Sequence, residues 1–178
     1  MPSELDKSVL FDLLEVLEGH LERKITLVAA GGTAMTLLNL KSSTMDIDFT
    51  GPAKDIKEFN RVQKMVSHGH KIDTYYDGAV FSQILPDDYI SLSKKIKAPL
   101  AKIDLRALHP VDIVVTKIGR LDGKDLQDIE SCIKEASLGR SQIAERAGLV
   151  GYAGNEMVYA TNLEHVLQRF FPDKRKAK

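Results

Sequence analysis

With one cysteine in 178 residues the chain cannot form an internal disulfide. Cys132 lies in a helical pattern, where a small buried or half-buried thiol is the ordinary reading. No apolar run approaches a bilayer span, since stretches such as Ile25 to Ala30 and Val111 to Val115 are far too short. The opening MPSELDKSVLF lacks a basic region followed by an apolar one, so a soluble, cytoplasmic protein with no membrane partner is expected. Charge of one sign is missing too. Lys and Arg together number 25, as do Asp and Glu, so no global field recruits nucleic acid, and such a partner would have to meet a local patch. Glycine is sparse at twelve residues, which draws attention to the one place where two stand together, Gly31-Gly32.

What is present reads as one domain with a helical appendage. Ser3 is a candidate N-cap for a helix whose apolar face is Leu5, Val9, Leu13, Leu17 and Leu21, with Leu10 and Leu14 beside them. ITLVAA reads as a buried strand stopped by Gly31-Gly32, and TAMTLLNL as a helix of about two turns. MDIDFTG alternates, with Met45, Ile47 and Phe49 on one face and Asp46, Asp48 and Thr50 on the other. A surface helix follows Gly51-Pro52. KIDTYYD is strand-like, and YISLSKKI with AKIDLRAL suggests a hairpin through Ala98-Pro99. From Pro110 onward every segment is helical in pattern. The expected architecture is a mixed α/β (α+β) core over residues 1–108, a small mixed sheet flanked by helices, and a helical region over 109–178. The basic tail DKRKAK is expected to fray.

Asp46 and Asp48 would project to one side of their strand with alpha carbons roughly 6.5–7 Å apart. Two like charges so placed lie in water or share a divalent cation, and Mg²⁺ prefers carboxylate oxygen while keeping waters and substrate phosphates as further ligands. On the dipeptide repeat alone, a solvated strand face is the simpler account. The upstream glycines shift that balance, because a strand, Gly-Gly turn and helix start present bare backbone N–H groups that attract phosphate, with the Thr33 hydroxyl beside them.

Taken together, Gly31-Gly32, a thirteen-residue spacer and Asp46-Ile47-Asp48-Phe49 resemble the signature of the polymerase-β-like nucleotidyltransferase superfamily. The wording GGTAMTLLNLKSSTMDIDF, with Lys41 and Thr44 ahead of the acids, is similar to the AbiEii-type branch of toxin nucleotidyltransferases. The likeness covers residues 25–50 and, more loosely, 105–135. It implies a nucleotidyltransferase fold and two Mg²⁺ ions held by Asp46, Asp48 and a third acid. It implies an NTP donor cradled by Gly31, Gly32 and Thr33, and transfer of a nucleoside monophosphate to an acceptor hydroxyl on RNA or protein. It further implies an antitoxin protein as partner. Asp73, in the strand-like KIDTY, is the first candidate for the third acid; Asp104 in KIDLR is the second, and Asp77 and Asp112 stay open. By the same resemblance Lys117 reaches the nucleotide phosphates, whereas the helical pattern alone puts Lys117 and Arg120 on a solvent face. Asp125 and Asp128 fit helix-start electrostatics. Two positions depart from the family pattern: Gly32 stands where many members have Ser, and Lys41 where many have Arg, which removes a bidentate grip.

Two readings compete from other classes. GRSQIAERAGLVGYAG has the texture of the first helix and turn of a helix-turn-helix, for which a basic patch around Arg140 and Arg146 is the discriminator. The other keeps the fold and drops the chemistry, as a scaffold with vestigial acids. His68-Gly69-His70 offers two alternate histidines but no nearby cysteine, a poor transition-metal pattern.

Overall fold

A computed structural model describes residues 3–175; the last three residues of the basic tail lie outside them. The first helix, α1 (Lys7–Glu18), is capped by Asp6, whose carboxylate accepts the Val9 N–H at 2.9 Å. Ser3 is therefore not the cap, because Asp6 stands three residues before an unpaired helical N–H and Ser3 does not. Leu5 drops out of the helix and forms an antiparallel bridge with Thr44, its N–H donating to the Thr44 carbonyl at 2.8 Å and its carbonyl accepting the Thr44 N–H at 2.9 Å. The buried stripe of α1 is Leu10, Leu14 and Leu17, while Val9 is exposed.

The chain continues as β1 (Ile25–Ala29), α2 (Gly31–Leu37), β2 (Ile47–Gly51), α3 (Ala53–Gln63), β3 (Ile72–Tyr76), β4 (Ala79–Val80), β5 (Gln83–Ile84) and α4 (Tyr89–Leu92). Then come β6 (Lys94–Lys95), β7 (Ile103–Ala107), α5 (Pro110–Ile118), α6 (Gly123–Ala136), α7 (Arg140–Ala147), β8 (Gly151–Tyr152) and α8 (Glu156–Phe170). Five strands make a mixed sheet in the order β3-β2-β1-β7-β6. Here β1 runs antiparallel to β2 and parallel to β7, while β2 runs parallel to β3. The hairpin at Ala98-Pro99 forms as β6 and β7, with Lys95 opposite Arg106. The preceding YISL is the short α4 and not strand. A second sheet, β4-β5-β8, joins the first half of the chain to the helical half.

Strand alternation sets the two faces of β2. Phe49 packs edge-on against Phe59 of α3, with centroids 5.6 Å apart, so Asp48 points away from that core. Met45, expected on the apolar face, is exposed because the strand begins only at Ile47. Every residue of α5 is buried, since α2, α6, α7 and α8 all pack on it. Its carbonyls receive the Tyr159 hydroxyl at Val115 and the Asn162 amide at Ile118, both at 2.8 Å.

The helix-turn-helix reading does not survive. The segment after α7 is β8, paired with β5, and Arg146 is buried against Asp112 and Asp88 instead of forming a basic patch. Cys132 is buried, and burial pushes its thiol up to about 12. Among the described residues no helix is long and apolar enough to cross a membrane.

Candidate active site

The turn between β1 and α2 depends on glycine twice. Gly31 has φ +52°, and a Cβ there would lie 3.2 Å from both Asp48 Oδ2 and the Phe81 ring. At Gly32 a Cβ would stand 2.7 Å from Thr44 Oγ1, so the space that a serine would need is filled by Thr44. That threonine is fixed by the Leu5 bridge and donates its hydroxyl to the Asp46 carbonyl at 2.9 Å. Thr33 is fully buried: its Oγ1 accepts the Asp48 N–H at 3.0 Å and donates to the Asp46 carbonyl at 3.2 Å. Its hydroxyl is thus spent holding the acidic strand against α2, behind the carboxylates and away from the place expected for phosphate.

Asp48 is 7% exposed. Burial first, then the charges of Asp73 and Asp46, push its carboxyl up to about 6, against the pull of Arg120 and Lys117. Asp46 is exposed on the bend that leads into β2. Asp73 lies directly beside Asp48, because the parallel β2–β3 register pairs Ile47 with Ile72 and Asp48 with Asp73. Lys71 Nζ stands 2.9 Å from Asp73 Oδ2.

The other acids weighed for the third position are elsewhere. Asp104 sits on β7 opposite Thr26, with β1 between it and the acids, beside Lys95 and Arg106. Asp77 accepts the Ala53 N–H at the start of α3, and Asp112 is held by Arg146.

The opposite wall comes from α5 and α6. Lys117 is neither a solvent-face residue nor free: it is 2% exposed, with Nζ 3.1 Å from Asp125 Oδ1 and 2.9 Å from Asp128 Oδ2. Arg120 grips Asp125 in a fork at 2.9 and 2.8 Å, and Lys41 reaches Asp128 at 3.1 Å. Burial would raise the Asp125 carboxyl, but Arg120 and Lys117 outweigh it and hold it down at about 2. Asp125 also closes a capping box with Asp122, so the helix-start account is correct as far as it goes. The unforeseen part is that the same carboxylates bind three cations. Above them Phe81, at φ +54°, lies under the Arg120 guanidinium at 4.6 Å and edge-on to Tyr75 at 5.8 Å. Burial and then the Asp48 and Asp73 charges push the Tyr75 hydroxyl up to about 12.

Asp46, Asp48, Gly32, Lys41, Lys117, Arg120 and Phe81 line one cleft of about 580 Å³, whereas Asp73, Gly31 and Thr33 lie outside its lining. Phe81 was invisible to periodicity because it sits in a two-residue turn. The nearest signal was the Asp77-Gly78 break that opens its hairpin. Among the described residues no group of three or more acid, histidine or cysteine side chains is placed to hold a metal ion. His68 and His70 merely stack, with centroids 6.1 Å apart. The donor set nonetheless suits Mg²⁺, which is commonly held by one or two carboxylates with substrate phosphates completing its shell. The mutual repulsion that raises Asp48 is what a divalent cation would relieve.

A Gly-Gly turn feeding a short helix, followed by an antiparallel strand with acids at its head, is the arrangement that the resemblance to nucleotidyltransferases implies. Two solved structures, both of ANT(2'')-Ia, agree at the level of fold. The crystal structure of ANT(2")-Ia in complex with adenylyl-2"-tobramycin matches with a TM-score of 0.50 and 14% identity, covering 88% of this chain and 98% of that one. The solution structure of the antibiotic-resistance factor ANT(2'')-Ia gives 0.53 and 14%, covering 91% and 98%. An antigenic nucleotidyltransferase-like protein from Paracoccidioides brasiliensis gives 0.49 and 16%, over 94% and 91%. No curated protein matches the sequence. The chain belongs to the family described as "Nucleotidyltransferase of unknown function (DUF6036)", whose model matches residues 8–147, a span that takes in both walls of the cleft.

Proposed function

We propose that the chain transfers a nucleoside monophosphate from an NTP to an acceptor hydroxyl, with Mg²⁺ held by Asp46, Asp48 and Asp73. The observation that carries this reading is the register that sets Asp73 beside the buried Asp48, next to the Gly31 turn. When bound, Mg²⁺ would supply charge neutralisation at the phosphates and would acidify the acceptor hydroxyl. The acceptor oxygen bonds to the α-phosphorus, the bond to the bridging oxygen of the β-phosphate breaks, and pyrophosphate leaves. The residues of the chain orient and balance charge. Asp73, more open than the buried Asp48, takes the proton of the acceptor hydroxyl once Lys71 swings off it. Lys117 and Lys41 meet the triphosphate from the opposite wall, trading part of their contact with Asp125 and Asp128 for phosphate.

The acceptor we assign is a hydroxyl on RNA or protein, and the role is that of a toxin restrained by an antitoxin, both on the likeness of GGTAMTLLNLKSSTMDIDF to the AbiEii branch. A second reading, a non-catalytic scaffold, draws on one observation: Lys117, Arg120 and Lys41, three of the four cations that line the cleft, already have carboxylate partners. A thermal-shift titration separates the two readings, using each of the four NTPs with and without Mg²⁺ on wild type and Asp48→Asn. A Mg²⁺-dependent rise in Tm that Asp48→Asn abolishes is the expected result. No rise with any NTP at millimolar concentration would leave the scaffold, and an undiminished rise in Asp48→Asn would remove Asp48 from the metal site.

A further inference from the structure

Phe81 breaks a local rule at the edge of the cleft. It is the first residue of the two-residue turn Phe81-Ser82, since Val80 pairs with Gln83 across the hairpin, and its φ is +54°. That turn position favours glycine, and a bulky side chain there is strained. The ring is half-buried and lines the cleft, its tip against Gly31. A residue chosen only for the turn would be small.

What the ring supports is the Arg120 guanidinium, stacked on it at 4.6 Å. Arg120 is also fixed along its edge, with Nε and one terminal nitrogen committed to both oxygens of Asp125. Held below by a ring and at the side by a fork, a guanidinium has its flat face left to offer, and its side chain is 46% exposed. Flat cationic faces are good partners for the π systems of nucleobases.

We propose that Phe81 and Arg120 form a prebuilt stacking platform for the base of the donor nucleotide, the base lying on the guanidinium face and the triphosphate running toward Gly31 and Asp48. This rests on the transferase reading of the same cleft. Stacking is tolerant of base identity, so all four NTPs bind, purines more tightly than pyrimidines because their rings are larger. Phe81 acts as a positioning residue: it touches the base only through Arg120, and without it the guanidinium loses its support.

The test compares a ligand with a base against one without. Calorimetric titrations with ATP and with inorganic tripolyphosphate, both with Mg²⁺, are run on wild type, Phe81→Gly, Phe81→Asn and Phe81→Tyr. Gly and Asn both suit the positive φ, so either keeps the hairpin, and Tm reports whether it does. We expect wild type to bind ATP about tenfold or more above tripolyphosphate. Phe81→Gly and Phe81→Asn should lose that advantage while tripolyphosphate binding stays unchanged, and Phe81→Tyr should restore it. Equal affinity of wild type for ATP and tripolyphosphate would overturn the platform and leave the metal site standing. Equal weakening of both ligands in Phe81→Gly and Phe81→Asn would mean that Phe81 only shapes the fold. Failure of wild type to bind either ligand would overturn the transferase reading together with the platform.

Discussion

At the residue scale, Asp48 couples the site to stability. Burial, Asp73 and Asp46 push its carboxyl up to about 6 from an ordinary 3.8. Between those values the folded chain holds more of this proton than the unfolded chain, so its contribution to stability falls as pH rises through the window and is level above it. Asp48→Asn removes the effect. Without metal, the variant should be more stable than wild type by about 2–3 kcal/mol at pH 7.5, with the gap closing toward pH 4. Urea denaturation at the two values checks this, and a gap that does not change with pH would contradict the assigned environment. Sequence alone marked Asp46 and Asp48 by their spacing and Asp73 in its strand, but the alternation expected to put Asp46 and Asp48 on one strand face fails at Asp46, which lies on the bend before β2. That Asp73 lies next to Asp48 follows from β3 pairing with β2, a choice of neighbour that local pattern does not carry. Thr33 was legible as a hydroxyl near the turn, but the direction it faces was settled by the backbone of Asp46 and Asp48.

At the scale of elements, the pairing of α5 with α6 is where pattern reading went astray. A lysine in an apolar helix is ordinarily assigned to its solvent side, because apolarity is the marker of burial that periodicity can detect. Lys117 is buried because α6 brings two carboxylates onto it. Such a cluster is costly to break on one side. Lys117→Met should destabilise the fold by about 3 kcal/mol, read as a lower urea midpoint with an unchanged slope. A loss below about 1 kcal/mol would mean that Arg120 and Lys41 satisfy the carboxylates unaided. The short strands β4, β5 and β8 were equally hidden, each being two residues long. Two residues cannot display a period, so the hairpin that carries Phe81 had no signature. The longer strands and helices, with several turns or alternations each, were recognised, but with shifted limits: the first helix runs Lys7–Glu18 without Ser3 or Leu21, and β2 starts at Ile47 and not at Met45.

Across the whole molecule, the helical half is tied to the sheet half by charge as well as by packing. Arg146 on α7 reaches Asp112 on α5 and Asp88 ahead of α4. Asp112 is fully buried, its carboxyl raised by burial against the pull of Arg146. Arg146→Ala strands that carboxylate and should cost about 3–5 kcal/mol, a fall in Tm of about 10 °C for a chain of this length, visible in circular dichroism melts. Retention of the wild-type Tm would show that Asp112 finds another partner or stays protonated at no cost. The neutral composition anticipated this arrangement only in aggregate: it showed that charges balance, and not that the balance is struck pairwise inside the fold.

The order in which the cleft is written along the chain has a consequence for synthesis. Lys41 and the acids Asp46, Asp48 and Asp73 leave the ribosome well before Lys117, Arg120 and the α6 carboxylates that pair with all three cations, and β8, which completes the sheet of the Phe81 hairpin, leaves later still. A nascent or prematurely terminated chain therefore displays acidic strands without the surface that faces them. The two walls become a single chamber only once α6 has emerged, so a chain broken before it yields half a site and no facing surface to close it.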